Sequence, residues 1–151
     1  MPQPPAAAKA SLMASPDDTE AQFYEAMQTG DLDKLMAVWA DDDEVVCVHP
    51  GGARVIGLAA IRASFEAIFA HNAVPVQPEQ VHRLQTLDSA IHHLAERVSV
   101  LTPEGPQTAW ALATNVYVKT TQGWRMAAHH ASPGQLGEAP PTLREVPSTL
   151  H

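Results

Sequence analysis

Thr108-Ala109-Trp110-Ala111-Leu112-Ala113-Thr114-Asn115-Val116-Tyr117-Val118-Lys119 is the stretch on which the fold turns. Its β-branched and aromatic residues favour a strand. In a strand alternate side chains share a face. Trp110, Leu112, Thr114, Val116 and Val118 then point one way, and Ala109, Ala111, Ala113, Asn115 and Tyr117 the other. Neither face is charged before Lys119, so both sides of this strand are expected to be covered.

Turn signals lie on either side. Pro103-Glu104-Gly105-Pro106 precedes it and Thr120 to Gly123 follows it, leading into Trp124 to Ala131. Upstream, Gln80 to Leu87 and Ile91 to Leu101 are strand-like segments separated by Asp88-Ser89-Ala90. Long strands joined by short turns predict an antiparallel meander.

The first half of the chain has a different period. Ser15-Pro16-Asp17-Asp18 reads as a helix start, with a capping hydroxyl, a first-turn proline and two carboxylates at the positive end of the dipole. Phe23, Ala26 and Met27 recur at helical spacing, and Gly30 suits the stop. Asp31 caps a second, shorter helix with an apolar stripe of Leu32, Leu35, Met36 and Trp39. Val45 to His49 is a short strand, Pro50-Gly51-Gly52 a turn, and Arg54 to Ile56 its partner. A third helix opens at Gly57 and ends at Asn72, while Pro75 and Pro78 keep the next stretch irregular or at an edge. The predicted class is α+β: three N-terminal helices on a strongly curved, mainly antiparallel sheet. Helices cover only one face of such a sheet and leave a hollow at its open end. The uncovered apolar face predicts a symmetric homodimer.

A chain of 151 residues suits one core. We place a disordered Pro/Ala-rich arm at 1–14, the folded domain at 15–133 and a Pro-rich tail at 134–151. Nine Lys and Arg against a net charge of −8 exclude a nucleic-acid surface. Cys47 is the only cysteine, so no intrachain disulfide forms. No stretch approaches the ~20 apolar residues of a membrane span or builds a signal peptide, so a cytoplasmic location is expected.

Eight histidines carry the chemical interest. Neighbours on a strand face apart, so one of His129 and His130, and one of His92 and His93, reaches any given pocket. Strict alternation puts His130 with Trp124 and Met126, which marks that face as the interior and His130 as a general acid or base. His49, closing a short strand beside a Pro-Gly-Gly turn, is the second catalytic candidate. His92 and Glu96 share a face with Leu94, Val98 and Val100, and a buried Glu96 would orient a histidine or have its own pKa raised. Trp39, Trp110 and Trp124 are core residues or cavity walls. Thr114 and Asn115 can orient a ring or a substrate, and His129 completes the candidate pocket. No metal is expected, because no histidine pair has HxxxH or HxH spacing. Asp41 to Glu44 lacks the spacing of a calcium loop. Without a phosphate loop or a dinucleotide fingerprint, no cofactor is expected.

These features together resemble the SnoaL-like branch of the nuclear transport factor 2-like superfamily, which includes ketosteroid isomerase and scytalone dehydratase. The resemblance rests on Gly30-Asp31, Val48-His49-Pro50-Gly51-Gly52, Gly57 with Ala60-Ile61, Phe65 and Phe69, Thr114 to Tyr117, Gly123 to Met126, and His129-His130-Ala131-Ser132-Pro133. It implies a cone-shaped, cystatin-like fold with a deep apolar cavity and a dimer through the outer sheet face. The family's isomerases and cyclases use a cavity aspartate. This chain offers Asp88 only at a turn, so its candidates are His130, His49 and Glu96. The expected function is a small-molecule pocket holding a small apolar ligand, in an isomerase, lyase or cyclase type of enzyme using histidine acid–base chemistry. The alternatives are a non-catalytic ligand-binding module and a dimerisation module.

Overall fold

The computed structural model describes residues 13–145. The described residues form three helices, α1 (Pro16–Thr29), α2 (Leu32–Met36) and α3 (Leu58–His71). Their strands are β1 (Val46–Val48), β2 (Arg54–Ile56), β3 (Val76–Gln85), β4 (Ser89–Thr102), β5 (Gly105–Thr120), β6 (Gly123–Ala131) and β7 (Gln135–Leu136).

The helix boundaries follow local chemistry. Ser15 Oγ accepts from the Asp18 N–H at 3.1 Å, a cap worth about 1 kcal/mol. Gly30 closes α1 in the left-handed region at φ 67°, and its N–H returns to the carbonyls of Ala26 and Met27. A side chain there would carry the strain of positive φ and would meet Ala73 at 3.4 Å. Asp31 caps α2 through the Lys34 N–H at 3.0 Å.

The strands run in the order β2-β1-β6-β5-β4-β3, with β7 added to β5. The meander β3–β6 is antiparallel, whereas β1 runs parallel to β6, so the sheet is mixed. β3 begins at Val76, earlier than the sequence suggests. It tolerates Pro78 because it is the edge strand. Its pairing with β4 breaks between Glu79 and His82, where Gln80 takes a positive φ of 54°. At the opposite side of the meander, Met126 donates to the Val38 carbonyl at 2.7 Å and accepts from the Ala40 N–H at 2.9 Å.

The three helices pack on one sheet face around Phe23, Tyr24, Leu35, Ile61, Phe65 and Tyr117, all fully or almost fully buried. Of the arm expected at 1–14, residues 1–12 lie outside the described residues. Met13 is buried, and its carbonyl accepts from the Trp124 N–H at 2.9 Å. Of the tail placed at 134–151, residues 146–151 lie outside the described residues, and the start of the tail is β7 paired with Ala109 and Trp110. Among the described residues, no helix is long and apolar enough to cross a membrane.

Candidate functional site

The orientation of the sheet corrects one step of the sequence reading. Along β5 the inward residues are Ala111, Ala113, Asn115 and Tyr117, all buried, while Leu112 is exposed. Between β5 and β6 the register passes from Val116↔Ala128 to Tyr117↔Met126, which leaves Ala127 as an extra residue. This β-bulge reverses the phase of β6. Trp124 and Met126 point inward, as expected, but so does His129, opposite Asn115, whereas His130 pairs with Thr114 and is exposed. His130 and Thr114 therefore lie on the outer face, where His93 Nδ1 is 3.0 Å from Thr114 Oγ1. Strict alternation carried through the bulge is the cause of the inverted assignment.

Inside the cone, α1 faces β4, β5 and β6 with polar side chains. Glu20 Oε2 receives three donors: Tyr117 Oη–H at 2.6 Å, His92 Nδ1–H at 2.8 Å and Asn115 Nδ2 at 3.4 Å. Asn115 Nδ2 also donates to the Tyr24 hydroxyl at 3.0 Å, and that hydroxyl donates to Glu96 Oε2 at 2.7 Å. Asn115 Oδ1 accepts from His129 Nδ1–H at 2.5 Å. The Glu20 carboxylate on its amide side fixes which way Asn115 points. His129 is thereby held as its Nδ1–H tautomer, and its bare Nε2 lies 3.8 Å from Glu96 Oε2.

Burial decides the charge states. Glu96 is raised to about 7, by burial first and by the Glu20 charge as well, against the lowering effect of the Tyr24 hydrogen bond. His129 is lowered to about 3 by burial, reinforced by His49 and His130. It is neutral at neutral pH, so its approach to Glu96 is not an ion pair. Burial also lowers His49 and pushes the Cys47 thiol up to about 12.

Glu96, His129 and His49 meet in one cavity of about 270 Å³. Its remaining walls are mainly carbon, from residues such as Met27, Phe65, Ile68, Val76 and Val98. The His49 ring stands edge-on to Phe65, with centroids 4.8 Å apart. The other expected pocket residues lie elsewhere. His92 points inward but sits beneath α1 with Glu20, its Nε2 buried and without a hydrogen-bond partner among the described residues. Asn115 supports His129 from behind. Trp39 and Trp124 are core residues, and the Trp39 indole N–H has no partner among the described residues. Trp110 is half-buried on the cavity wall, with its indole N–H donated to the Gly137 carbonyl at 2.9 Å.

Sequence reading missed Glu20, Tyr24 and Tyr117. The signal was present for the first two: Glu20, Phe23, Tyr24 and Met27 follow i, i+3, i+4, i+7 spacing, so a carboxylate stands on the buried stripe of α1. Among the described residues, no group of three His, Cys, Asp or Glu side chains is placed to hold a metal ion.

Solved structures share this architecture. A candidate calcium/calmodulin-dependent protein kinase type II association domain from Thiobacillus denitrificans is 38% identical, with a TM-score of 0.73 over 82% of this chain and 98% of that one. A candidate dehydratase of the NTF2-like family from Streptomyces avermitilis is 27% identical, with a TM-score of 0.70 over 85% and 97%. An NTF2-like protein with a cystatin-like fold from Novosphingobium aromaticivorans is 14% identical, with a TM-score of 0.65 over 84% and 82%, a likeness of fold alone. Among curated proteins no sequence matches. The SnoaL-like domain model matches residues 17–135, from the first turn of α1 to the start of β7, and the chain belongs to that family.

Proposed function

We propose that this protein is a small-molecule pocket protein in which Glu96 exchanges a proton with an apolar ligand. One observation carries the reading: a carboxyl raised to about 7 faces the bare Nε2 of a neutral histidine at 3.8 Å inside a small apolar cavity. A general acid–base group works best when its pKa lies near the working pH. Glu96 meets that condition, while His129 at about 3 acts as an oriented hydrogen-bond acceptor and a weak base. The Tyr24–Asn115 chain holds both groups, with the Glu20 carboxylate on the far side of the Asn115 amide. The role expected of His130 passes to this pair, with His49 as the third polar group of the cavity. The 27% identical NTF2-like relative, described as a candidate dehydratase, supports proton-transfer chemistry in a site of this type.

Proton transfer is tested by incubating the protein with small ketones in heavy water and reading the deuterium left on the α-carbon after return to ordinary water. Deuterium incorporation, followed by mass spectrometry, is expected for a bound ligand and should fall at least ~100-fold in Glu96→Gln. A ligand that binds without exchange would leave a binding module in place of an enzyme.

A second reading, self-association, is favoured by the outer sheet face. Leu112 and Leu84 are exposed there, and Val116 and Val118 only half-buried. The 38% identical neighbour is described as an association domain. The two readings are compatible, since the cavity and this face lie on opposite sides of the sheet. Native mass spectrometry should show a homodimer or larger assembly that Leu112→Lys with Val116→Glu dissociates.

A further inference from the structure

The side-chain hydrogens around the cavity can be assigned one by one, and among the described residues they leave it without side-chain donors once Glu96 is ionised. His129 spends its only ring N–H on Asn115 Oδ1, so Nε2 presents a lone pair. Ser64 gives its hydroxyl hydrogen to the Ile61 carbonyl at 2.8 Å, so its oxygen accepts from His49 Nε2–H at 3.1 Å. A neutral His49 therefore keeps Nδ1 bare. Glu96 Oε2 accepts from Tyr24, and among the described residues no side chain donates to its other oxygen. Among the described residues, the only further side-chain N–H on the cavity wall is the Trp110 indole, which is used by Gly137, and no Lys or Arg lines the cavity.

Two consequences follow. A ligand carboxylate, phosphate or carbonyl would find no partner once Glu96 is ionised, and unpaired polar groups are costly to bury. Conversely, with Glu96 ionised, its Oε2 and His129 Nε2 are two acceptors 3.8 Å apart, a pair that a ligand N–H or O–H placed beside both would satisfy. We infer that the cavity takes a small, mainly apolar molecule ending in a primary ammonium group, whose N–H bonds are shared among Glu96, His129 and His49. The inference rests on reading the cavity as a ligand site, and it names the ligand class. An ammonium matches the site better than a hydroxyl because it supplies three donors to three acceptors and a positive charge to Glu96, the one carboxyl that the described residues place in the cavity. Size restricts the rest of the molecule: an apolar cavity of about 150 Å³ holds benzene. At about 270 Å³ this one accommodates a ring with a short chain.

The test is isothermal titration of the full chain with three probes of one skeleton: 2-phenylethylamine, 2-phenylethanol and phenylacetate. The amine should bind at least about tenfold more tightly than either of the others at about pH 8, and about tenfold more weakly at about pH 6, where Glu96 is protonated. Glu96→Gln should abolish the amine preference while retaining 2-phenylethanol, which also shows that the variant is folded. Equal or tighter binding of the alcohol or the carboxylate would overturn the ammonium inference and leave the ligand-site reading standing. Binding of none of the three would overturn both.

Discussion

The Tyr24 hydroxyl donates to Glu96 Oε2 across 2.7 Å, joining α1 to β4 at the cavity wall through residues 72 positions apart in the chain. This bond opposes the effect of burial on Glu96, and the balance leaves the carboxyl at about 7. A site set by two opposing causes responds measurably when either is removed.

Tyr24→Phe deletes the hydrogen bond that lowers Glu96 and leaves desolvation and the Glu20 charge acting alone. The Glu96 midpoint is expected to move clearly above 7. Carboxyl carbon NMR across pH 5 to 9 reads it directly. An unchanged or lower midpoint would show that the hydroxyl is not the counterweight.

Stability against pH should carry two opposing slopes. Glu96 is raised from an ordinary 4.5 to about 7, so the folded state holds the extra proton between these values and stability falls as pH rises through that window. His129 is lowered from 6.5 to about 3, so its contribution is present above 6.5 and is lost as pH falls toward 3. The shifts correspond to about 3 kcal/mol for Glu96 and about 5 kcal/mol for His129, and between pH 4.5 and 6.5 their opposite slopes largely cancel. Urea midpoints should therefore be nearly flat there for the native chain. Glu96→Gln should unmask a rise with pH, and His129→Gln a fall.

Asn115→Ala strands His129 Nδ1–H and removes the donor to Tyr24. Leaving buried polar groups unsatisfied costs about 1–3 kcal/mol each. The melting temperature should drop accordingly. Thr114→Ala, one residue along on the outer face, should change it little. Equal losses at the two positions would contradict the assigned strand phase.

Cys47 is fully buried, and its thiol is pushed up to about 12 by burial first and the Glu96 charge second. Thiolate is the reactive form. Alkylation by iodoacetamide at pH 8 should be negligible in the native protein and complete after denaturation. Fast native labelling would mean that the inner face of β1 opens to solvent.

Much of the architecture was legible because it is set by short-range chemistry. Ser15, Gly30 and Asp31 mark helix ends through caps and a positive φ. The alternation within Thr108 to Lys119 defines a strand wherever it is placed. Those signals need no neighbour beyond a few residues. The inward course of His92 and Glu96 followed from alternation on β4, which carries its pairing with β5 without a break.

Which face is the interior is another matter, because both faces of β5 are apolar and alternation does not choose between them. Ala127 hides the answer: nothing in Met-Ala-Ala-His announces an extra residue, yet the bulge turns His129 inward and His130 outward. The meeting of Glu20 and Tyr24 with Glu96, Asn115 and His129 likewise belongs to the packing of α1 on the sheet. The sequence by itself determined the elements, since propensity, capping and period act locally. Only the tertiary structure decided the site, since burial, tautomer and pKa come from residues that become neighbours after the chain has folded.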